Sequence, residues 1–448
     1  MRIRLDSIGC RLNIGEIEAM ARSFAASGHS IVSQGDPADL CILNTCTVTA
    51  IASKKSRAFI RQLRRRNPDA KVVATGCLAE LEPDSLEALG VDLVVGNDAK
   101  DSLPDLLTSR GWLTCAEAAT NDPPPILGSR TRAFLKVQDG CDNKCTFCVV
   151  TIARGSGRSR IRDEIVAEVR SLLTLGYREV ILSGVHLGSY GHDLGQARGL
   201  EELVRKILAE TDLPRLRLSS LEPWDLDPAF FEVFGDSRVQ PHLHLPLQSG
   251  CDATLRRMAR KTTADGFSEL VDAARGIIDD VAISTDVMAG FPGETDEEFE
   301  RSITTVENLG FSKLHIFRYS RRDGTLASTM PDQVPGPVAT ARSARLHELG
   351  DRLVSGFHER FVGRRAEVLW EDAEEIGEHR RWSGLTGNYI RVLTEAATGV
   401  DLGNTITTVD LETCVPGAML GSVPGVTTSG VAETSRRDGG SLPVVSGS

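Results

Sequence analysis

Residues 136–148 read KVQDGCDNKCTFC and contain Cys141, Cys145 and Cys148 with the spacing Cys-x3-Cys-x2-Cys. The stretch follows a predicted strand, residues 132–137. Three thiolates from one short loop can bind three irons of a cubane cluster and leave the fourth iron without a protein ligand. Structural zinc is the alternative, but it normally takes four protein ligands, and no further Cys or His lies nearby. The spacing therefore favours an iron–sulfur cluster with one open coordination site.

Strand-like and helix-like segments alternate on both sides of this loop. After it, strands are predicted at 179–182, 216–219, 242–247, 281–287 and 312–317, with helices at 162–175, 200–210, 253–259, 264–278 and 296–309. About six βα units predict a barrel or partial barrel over residues 126–355, with its active site at the carboxyl ends of the strands.

The first 120 residues predict a separate α/β domain with an open parallel sheet. Strands are expected at 3–8, 40–44, 71–75 and 91–95, with helices at 14–27 and 53–66. Cys10, Cys46 and Cys77 each follow one of the first three strands. Because the carboxyl ends of parallel strands lie along one edge, these cysteines are expected to converge on one site. A linker at 121–125, NDPPP, separates this domain from the next.

The C-terminal part predicts a long helix at 338–361 and then a small β-barrel over residues 360–420, with strands at 366–370, 389–393 and 405–409. Residues 421–448 contain six Gly and six Ser and are expected to be a disordered tail. The fold class is thus α/β, with three domains and a tail.

Composition limits the classes of function. The 448 residues include 51 Lys or Arg and 62 Asp or Glu, a net charge of −11, so any nucleic-acid contact has to be local. No apolar run is long enough to span a membrane, and the N-terminus lacks the apolar core of a signal peptide, so a cytoplasmic protein is expected. Ten cysteines in a reducing compartment point to metal or redox chemistry. Four of them have no such context and are expected to be incidental thiols: Cys41, Cys115, Cys251 and Cys414.

The central cysteine loop, with Phe147 before its last cysteine, resembles the signature of radical S-adenosylmethionine (SAM) enzymes. The resemblance implies a [4Fe–4S] cluster on Cys141, Cys145 and Cys148 whose open iron binds SAM. Reductive cleavage of SAM would then yield a 5′-deoxyadenosyl radical, with the protein supplying orientation and exclusion of water.

The N-terminal cysteines narrow this resemblance to the methylthiotransferase family. Their contexts, GCRLN at 9–13, NTCTVT at 44–49 and GC at 76–77, are similar to that family's three cysteine motifs. Further matches lie at 153–160, 183–191, 242–250, 291–294 and 317–325. The family implies a second [4Fe–4S] cluster on Cys10, Cys46 and Cys77, and a labile sulfur on its open iron that is transferred. The alternative reading is three unrelated buried thiols.

The resemblance also suggests a SAM pocket formed by Gly184, His186 and Gln248. Gly184 ends a predicted barrel strand where the family's SAM-binding glycine motif lies, so a close approach of backbone to cofactor would explain this glycine. His242 and His244 lie on one strand face and are read as hydrogen-bonded histidines of the barrel interior, with direct contacts to substrate or SAM as the alternative. No residue is assigned as a catalytic acid or base.

A basic run on the predicted helix 53–66 suggests an RNA-binding surface. Between residues 50 and 68 the chain has no acidic residue and seven basic ones: Lys54, Lys55, Arg57, Arg61, Arg64, Arg65 and Arg66. Such a run is often only a solvated helix face, but on an acidic chain it favours a phosphate-binding patch. The C-terminal β domain occupies the place of the family's RNA-binding TRAM barrel, yet residues 364–421 have five Arg, no Lys and ten Asp or Glu.

Within the family, the motifs at 44–49, 138–141 and 184–188 look most like the MtaB-type branch. That branch methylthiolates C2 of N6-threonylcarbamoyladenosine beside the tRNA anticodon. The expected partners are the tRNA anticodon stem-loop and an electron donor such as flavodoxin or ferredoxin, with the enzyme a monomer. Alternatives are another tRNA adenosine (isopentenyladenosine), a ribosomal-protein aspartate, or a non-catalytic iron–sulfur RNA-binding protein.

Overall fold

The computed structural model describes residues 1–113, 131–377 and 379–426. The predicted linker at 121–125, Cys115 and residues 427–448 of the predicted tail lie outside these ranges.

The N-terminal domain is a five-stranded parallel sheet with the strand order β2-β1-β3-β4-β5. Its strands are β1 (Arg2–Ser7), β2 (Ser30–Ile31), β3 (Leu40–Thr45), β4 (Lys71–Gly76) and β5 (Leu93–Val95). Its helices are α1 (Arg11–Ala26), α2 (Ala50–Arg66), α3 (Cys77–Leu81), α4 (Pro83–Glu87) and α5 (Leu103–Ser109). Every residue of β3 is buried, which fits a continuous apolar strand covered on both faces. The predicted open parallel sheet is confirmed, and the short edge strand β2 is an addition to it.

The central domain begins with β6 (Arg132–Lys136) and a two-stranded ribbon, β7 (Gln138–Asp139) and β8 (Arg158–Ser159). Its other strands are β9 (Glu179–Ser183), β10 (Arg215–Leu218), β11 (His242–His244), β12 (Ala282–Ala289) and β13 (Lys313–Arg318). Its helices are α6 (Val150–Arg154), α7 (Arg162–Thr174), α8 (Gly199–Glu210), α9 (Asp252–Arg257), α10 (Ala264–Ile277), α11 (Asp296–Leu309) and α12 (Gly336–Glu359).

Six parallel strands of this domain form a partial barrel. They pair as β10-β9-β6 and β11-β12-β13, and two isolated bridges, Leu216 with Val239 and Ser220 with His244, connect the halves. In the described part of the chain β6 and β13 do not pair, so the barrel is open on that side. Helix α1 lies against β6 there, so close that a Cβ on Gly15 would come within 2.4 Å of the Phe134 carbonyl oxygen.

The C-terminal domain is a closed barrel with the order β14-β15-β16-β18-β17. Its strands are β14 (Arg365–Ile376), β15 (His379–Thr386), β16 (Arg391–Ala397), β17 (Ile406–Val415) and β18 (Ala418–Ser422). The predicted small β-barrel is confirmed. The last strand runs to Ser422 and Val423 is buried, so the ordered barrel extends slightly beyond the boundary predicted at residue 420.

Candidate active site

The backbone conformation of the central cysteine loop requires a glycine at position 140. Gly140 has a φ of +71°, and a Cβ there would lie 1.9 Å from the carbonyl oxygen of Ser156. The loop therefore requires glycine directly before Cys141. The Cys148 N–H donates to the Cys145 carbonyl at 3.1 Å, which folds the last two cysteines into a turn.

A buried arginine supports this loop from the opposite half of the barrel. One Nη of Arg260 lies 3.7 Å from Cys145 Sγ, while the guanidinium is ion-paired with Glu222 at 2.6 Å. The Trp224 ring packs against the same guanidinium, 4.4 Å from Cζ to the ring centroid. Arg260 thus brings a fixed positive charge beside the group that Cys145 would hold.

The N-terminal cysteines lie at one edge of the first sheet, as expected from the strand order. Cys10 directly precedes α1, Cys46 follows β3, and Cys77 follows β4, while β1, β3 and β4 are adjacent strands. Burial raises the pKa of the Cys46 thiol to about 12, and the nearby Cys10 and Cys77 act in the same direction. Gly9 is held against this group, because a Cβ there would lie 2.6 Å from Cys46 Sγ.

Both triples are sets of possible metal ligands. Each set offers three cysteine sulfurs. Among the described residues, no three His, Cys, Asp or Glu side chains already stand as ligands of one metal ion. A cubane does not require such a cage, since each of its irons takes its own thiolate.

One side chain of the central domain contacts the N-terminal triple. Arg154 belongs to α6, directly after the central cysteine loop, and is only 3% exposed. Its Nε donates to Cys77 Sγ at 3.3 Å, and an Nη donates to Asn13 Oδ1 at 2.9 Å. Asn13 is in turn 3.8 Å from Cys10 Sγ. The central domain therefore reaches directly into the cysteine site of the N-terminal domain.

A buried carboxylate anchors this arginine. Glu16 on α1 accepts from Arg154 at 2.9 Å and is ion-paired with Lys100 at 2.7 Å and Lys136 at 3.4 Å. Burial opposes ionisation, but the charges of Lys100, Arg154 and Lys136 hold the pKa of Glu16 well below its usual range. The carboxylate thus stays charged and fixes the interface between the two domains.

The proposed SAM-pocket residues Gly184 and His186 lie together beside the central loop. The buried imidazole of His186 is hydrogen-bonded to Asp225 and lies 3.4 Å from Asn143 Nδ2. A Cβ on Gly184 would lie 2.9 Å from Gln138 Oε1. This close contact restricts the position to a small residue, and the approach of a cofactor to Gly184 stays a prediction.

Gln248 lies after β11 in a strained backbone conformation. Its φ is +72°, unusual for a residue other than glycine, and it is held by backbone hydrogen bonds of 2.8 Å to Asp286 and Met288.

The histidines His242 and His244 are hydrogen-bonded in the barrel interior, which is the arrangement that the sequence favoured. His242 Nε2 and His244 Nδ1 lie 3.1 Å and 2.9 Å from Ser284 Oγ.

The basic run falls on α2 and divides into two groups. Arg57 is ion-paired with Glu82, and Arg64 with Asp92 at 3.0 Å. The remaining basic residues are exposed and form no ion pair within the described ranges: Lys54, Lys55, Arg61, Arg65 and Arg66. The helix begins beside the central domain, where the Ala50 N–H donates to Ser320 Oγ at 3.2 Å.

Arg154 and Arg260 are the site residues that sequence reasoning missed. Arg154 lies in a motif matched by resemblance, but nothing in its neighbours shows that it would reach Cys77, 77 residues earlier in the chain. Arg260 is likewise 115 residues from Cys145.

Comparison with known proteins follows the same division of the chain. A model described as "Uncharacterized protein family UPF0004" matches residues 2–96, and the Radical SAM superfamily model matches residues 135–306. Among solved structures, the radical S-adenosylmethionine methyltransferase TsrM from Kitasatospora setae aligns with a TM-score of 0.53 and 17% identity, covering 73% of this chain and 77% of that one. Fold and cysteine loop thus define a radical SAM enzyme with an additional N-terminal domain.

Curated relatives specify the family. The threonylcarbamoyladenosine tRNA methylthiotransferase MtaB of Bacillus subtilis is 35% identical over 87% of this chain and 90% of its own length. The tRNA-2-methylthio-N(6)-dimethylallyladenosine synthase of Novosphingobium aromaticivorans is 37% identical over 85% and 88%. The chain belongs to the radical SAM tRNA methylthiotransferases, a family of enzymes that use a [4Fe–4S] cluster and SAM.

No helix in the described residues has the length and apolar character needed to cross a membrane.

Proposed function

We propose that this enzyme replaces the C2 hydrogen of N6-threonylcarbamoyladenosine at position 37 of tRNA with a methylthio group. The observation that carries the proposal is the contact between Arg154 and Cys77, because it joins the radical-generating domain to the N-terminal cysteine triple. Similarity to MtaB-type relatives supports threonylcarbamoyladenosine as the base.

Each triple would hold one [4Fe–4S] cluster, the first on Cys141, Cys145 and Cys148 and the second on Cys10, Cys46 and Cys77. When bound, these groups and SAM supply hydrogen abstraction and the transferred sulfur. The chain's own residues orient and enclose them. Arg260 and Arg154 place positive charge beside one cysteine of each triple. Gly184, His186 and Gln248 are proposed to line the SAM pocket.

The exposed cations of α2 are proposed to bind the phosphates of the anticodon stem-loop. We predict that tRNA binding depends more on the α2 arginines without an ion pair than on those with one. Arg61→Gln should reduce the salt dependence of tRNA binding by about one phosphate contact. Arg57→Gln, which also breaks the ion pair with Glu82, should change it less. Equal effects would contradict a role specific to the free cations.

The proposal also includes an electron donor such as flavodoxin or ferredoxin, a monomeric state and a cytoplasmic location.

Reconstitution tests the two-cluster arrangement. The wild-type enzyme should bind about eight irons per chain, and Cys145→Ala and Cys77→Ala about four each. Only Cys145→Ala should abolish SAM cleavage, since Cys77 would hold the other cluster. A wild-type content of about four irons, or bound zinc, would refute the second cluster.

Nucleoside mass spectrometry of tRNA from a deletion strain tests the substrate. Loss of methylthiolated threonylcarbamoyladenosine supports the proposal. Loss of the methylthiolated dimethylallyl nucleoside supports the second candidate, which the Novosphingobium relative favours. Unchanged tRNA would reject both.

A further inference from the structure

The partial barrel has a polar floor, defined here as the end at which its strands begin. Arg132, Glu179, Arg215, His242 and Lys313 are the first residues of β6, β9, β10, β11 and β13. An ordinary barrel interior is packed with branched apolar side chains. Four charged residues and a histidine at the strand starts make this end of the barrel polar.

A tyrosine of the C-terminal domain lies against this floor. The Tyr389 ring centroid is 3.9 Å from Arg217 Cζ and 4.4 Å from the His242 ring centroid. Its hydroxyl accepts from an Nη of Arg11 at 3.2 Å. The residue has a φ of +63°, a strained conformation that persists only where its surroundings enforce it.

Within the described residues, three cations from three domains lie around this tyrosine without a carboxylate partner. They are Arg11 on α1, Lys313 on β13 and Arg391 on β16. Burial lowers the pKa of Lys313, and the nearby charges of Arg11 and Arg391 lower it further. In the part of the chain that the structure describes, none of the three is ion-paired, whereas the neighbouring Arg217 is paired with Glu179 at 2.9 Å. Uncompensated like charges on neighbouring, partly exposed side chains favour the binding of an anion.

One ring nitrogen of His242, at the floor, also lacks a partner within the described residues. His242 is 6% exposed, and its Nδ1 has no hydrogen bond within the described residues. A buried polar atom of this kind calls for a ligand or an ordered water. The floor therefore offers both charge and hydrogen bonding to a molecule inside the barrel.

The chemistry of the base fits such a floor. C2 and N6 lie on the same Watson–Crick edge of adenine, so a base that presents C2 inside the barrel also brings its N6 substituent inside. A threonylcarbamoyl group carries a carboxylate and hydrogen-bonding groups. A dimethylallyl group carries neither and cannot pair with the cations, so the acidic substituent is the one that this site favours.

We propose that Arg11 and Lys313 bind the carboxylate of the threonylcarbamoyl substituent and thereby select this nucleoside, with Tyr389 positioning Arg11. The inference rests on the proposed function and deepens it. Arg11 suits the role because it directly follows Cys10, one of the three proposed ligands of the cluster whose open iron would hold the transferred sulfur.

The test compares two synthetic anticodon stem-loops, one with threonylcarbamoyladenosine and one with its methyl ester. The wild-type enzyme should show about 10- to 100-fold lower kcat/KM on the ester, the cost of losing charge-assisted hydrogen bonds. Arg11→Gln and Lys313→Gln should lose activity on the acid by a similar factor yet keep their activity on the ester, so the acid-to-ester ratio approaches one. Arg301→Gln, at an exposed residue of α11 that has no ion pair within the described residues, is the matched control and should keep the wild-type ratio.

The outcomes separate this inference from the proposed function. A wild-type ratio retained in both Arg11→Gln and Lys313→Gln would overturn the inference, as would equal losses on acid and ester, which would indicate a tRNA phosphate at this site instead. If the wild-type enzyme modifies only a dimethylallyladenosine stem-loop, the proposed function itself fails. Because Arg11 neighbours Cys10, the iron content of the Arg11→Gln variant is measured as a control for loss of the cluster. If that content falls, the result for Lys313→Gln decides whether the inference holds.

Discussion

The two ends of the partial barrel are joined to their neighbouring domains in the same way, through a buried glutamate surrounded by three cations. At the cysteine end, Glu16 of the N-terminal domain is ion-paired with Lys100, Lys136 and Arg154. At the floor, Glu179 of the central domain is ion-paired with Arg132, Arg215 and Arg217.

The difference lies in what the cations touch next. Arg154 continues to a cysteine sulfur, whereas Arg217 continues to the backbone carbonyls of Thr386 and Gly387 in the C-terminal barrel. Damage to the first network should therefore affect both folding and the metal site. Damage to the second should affect folding while sparing the cysteines.

The largest effect is expected for Arg154→Ala. It leaves Glu16 and Asp139 with one cation fewer in a buried place and removes the donor to Cys77, so we expect a loss of about 3–5 kcal/mol in the free energy of unfolding. Iron bound after reconstitution should fall towards one cluster, about four per chain. Urea unfolding and iron analysis measure the two effects.

Arg158→Ala is the matched control for that prediction. Arg158 lies four residues further along, but its ion pair with Asp98 is exposed, so its loss should cost under about 1 kcal/mol. If the two variants behaved alike, the Glu16 network would have no special role.

A smaller effect, and one that depends on pH, is expected for Glu179→Gln. Burial opposes ionisation, but Arg217, Arg215 and Arg132 lower the pKa of Glu179 to about 2, against an ordinary value of about 4.3. Its ionised form therefore contributes about 3 kcal/mol of stability above pH ~4.3, and this is lost as the pH falls towards 2. Urea unfolding of the apoproteins should show a wild-type advantage that is constant above pH ~5 and narrows below pH ~4.

SAM cleavage by Glu179→Gln should stay near wild type in folded enzyme, because the floor network does not contact the cysteines. Glu210→Gln, which breaks exposed ion pairs only, controls for the loss of a surface charge. A stability difference that did not change with pH would disprove the role assigned to the ionised Glu179.

The smallest effect is expected for Tyr389→Phe. The change removes the hydroxyl that accepts from Arg11 but keeps the ring against Arg217 and His242. We expect about 1 kcal/mol less stability and a partial loss of the acid-to-ester ratio. A stability loss with an unchanged ratio would make Tyr389 a structural residue only.

The order of the domains could be predicted from the sequence because it depends on local signals. Alternating strand and helix patterns gave the parallel sheet, the partial barrel and the small β-barrel, and the loop triple needed only its spacing. Convergence of Cys10, Cys46 and Cys77 on one sheet edge also follows from parallel topology.

The contacts between domains could not be predicted in this way. Arg154 with Cys77 and Tyr389 with Arg11 join residues 77 and 378 positions apart, and no periodicity encodes such pairs. The basic run on α2 shows the same limit. Which arginines are free depends on Glu82 and Asp92, whose positions are fixed only by the fold.

The bond from Arg154 to Cys77 also has a consequence for biosynthesis. The ribosome completes the N-terminal sheet, with all three of its cysteines, well before it reaches residue 154. Cys77 therefore lacks its charged neighbour until the ribosome has synthesised residue 154. We therefore expect the N-terminal site to mature only after synthesis of the central domain, just as Cys145 gains its charged neighbour only when the ribosome reaches Arg260.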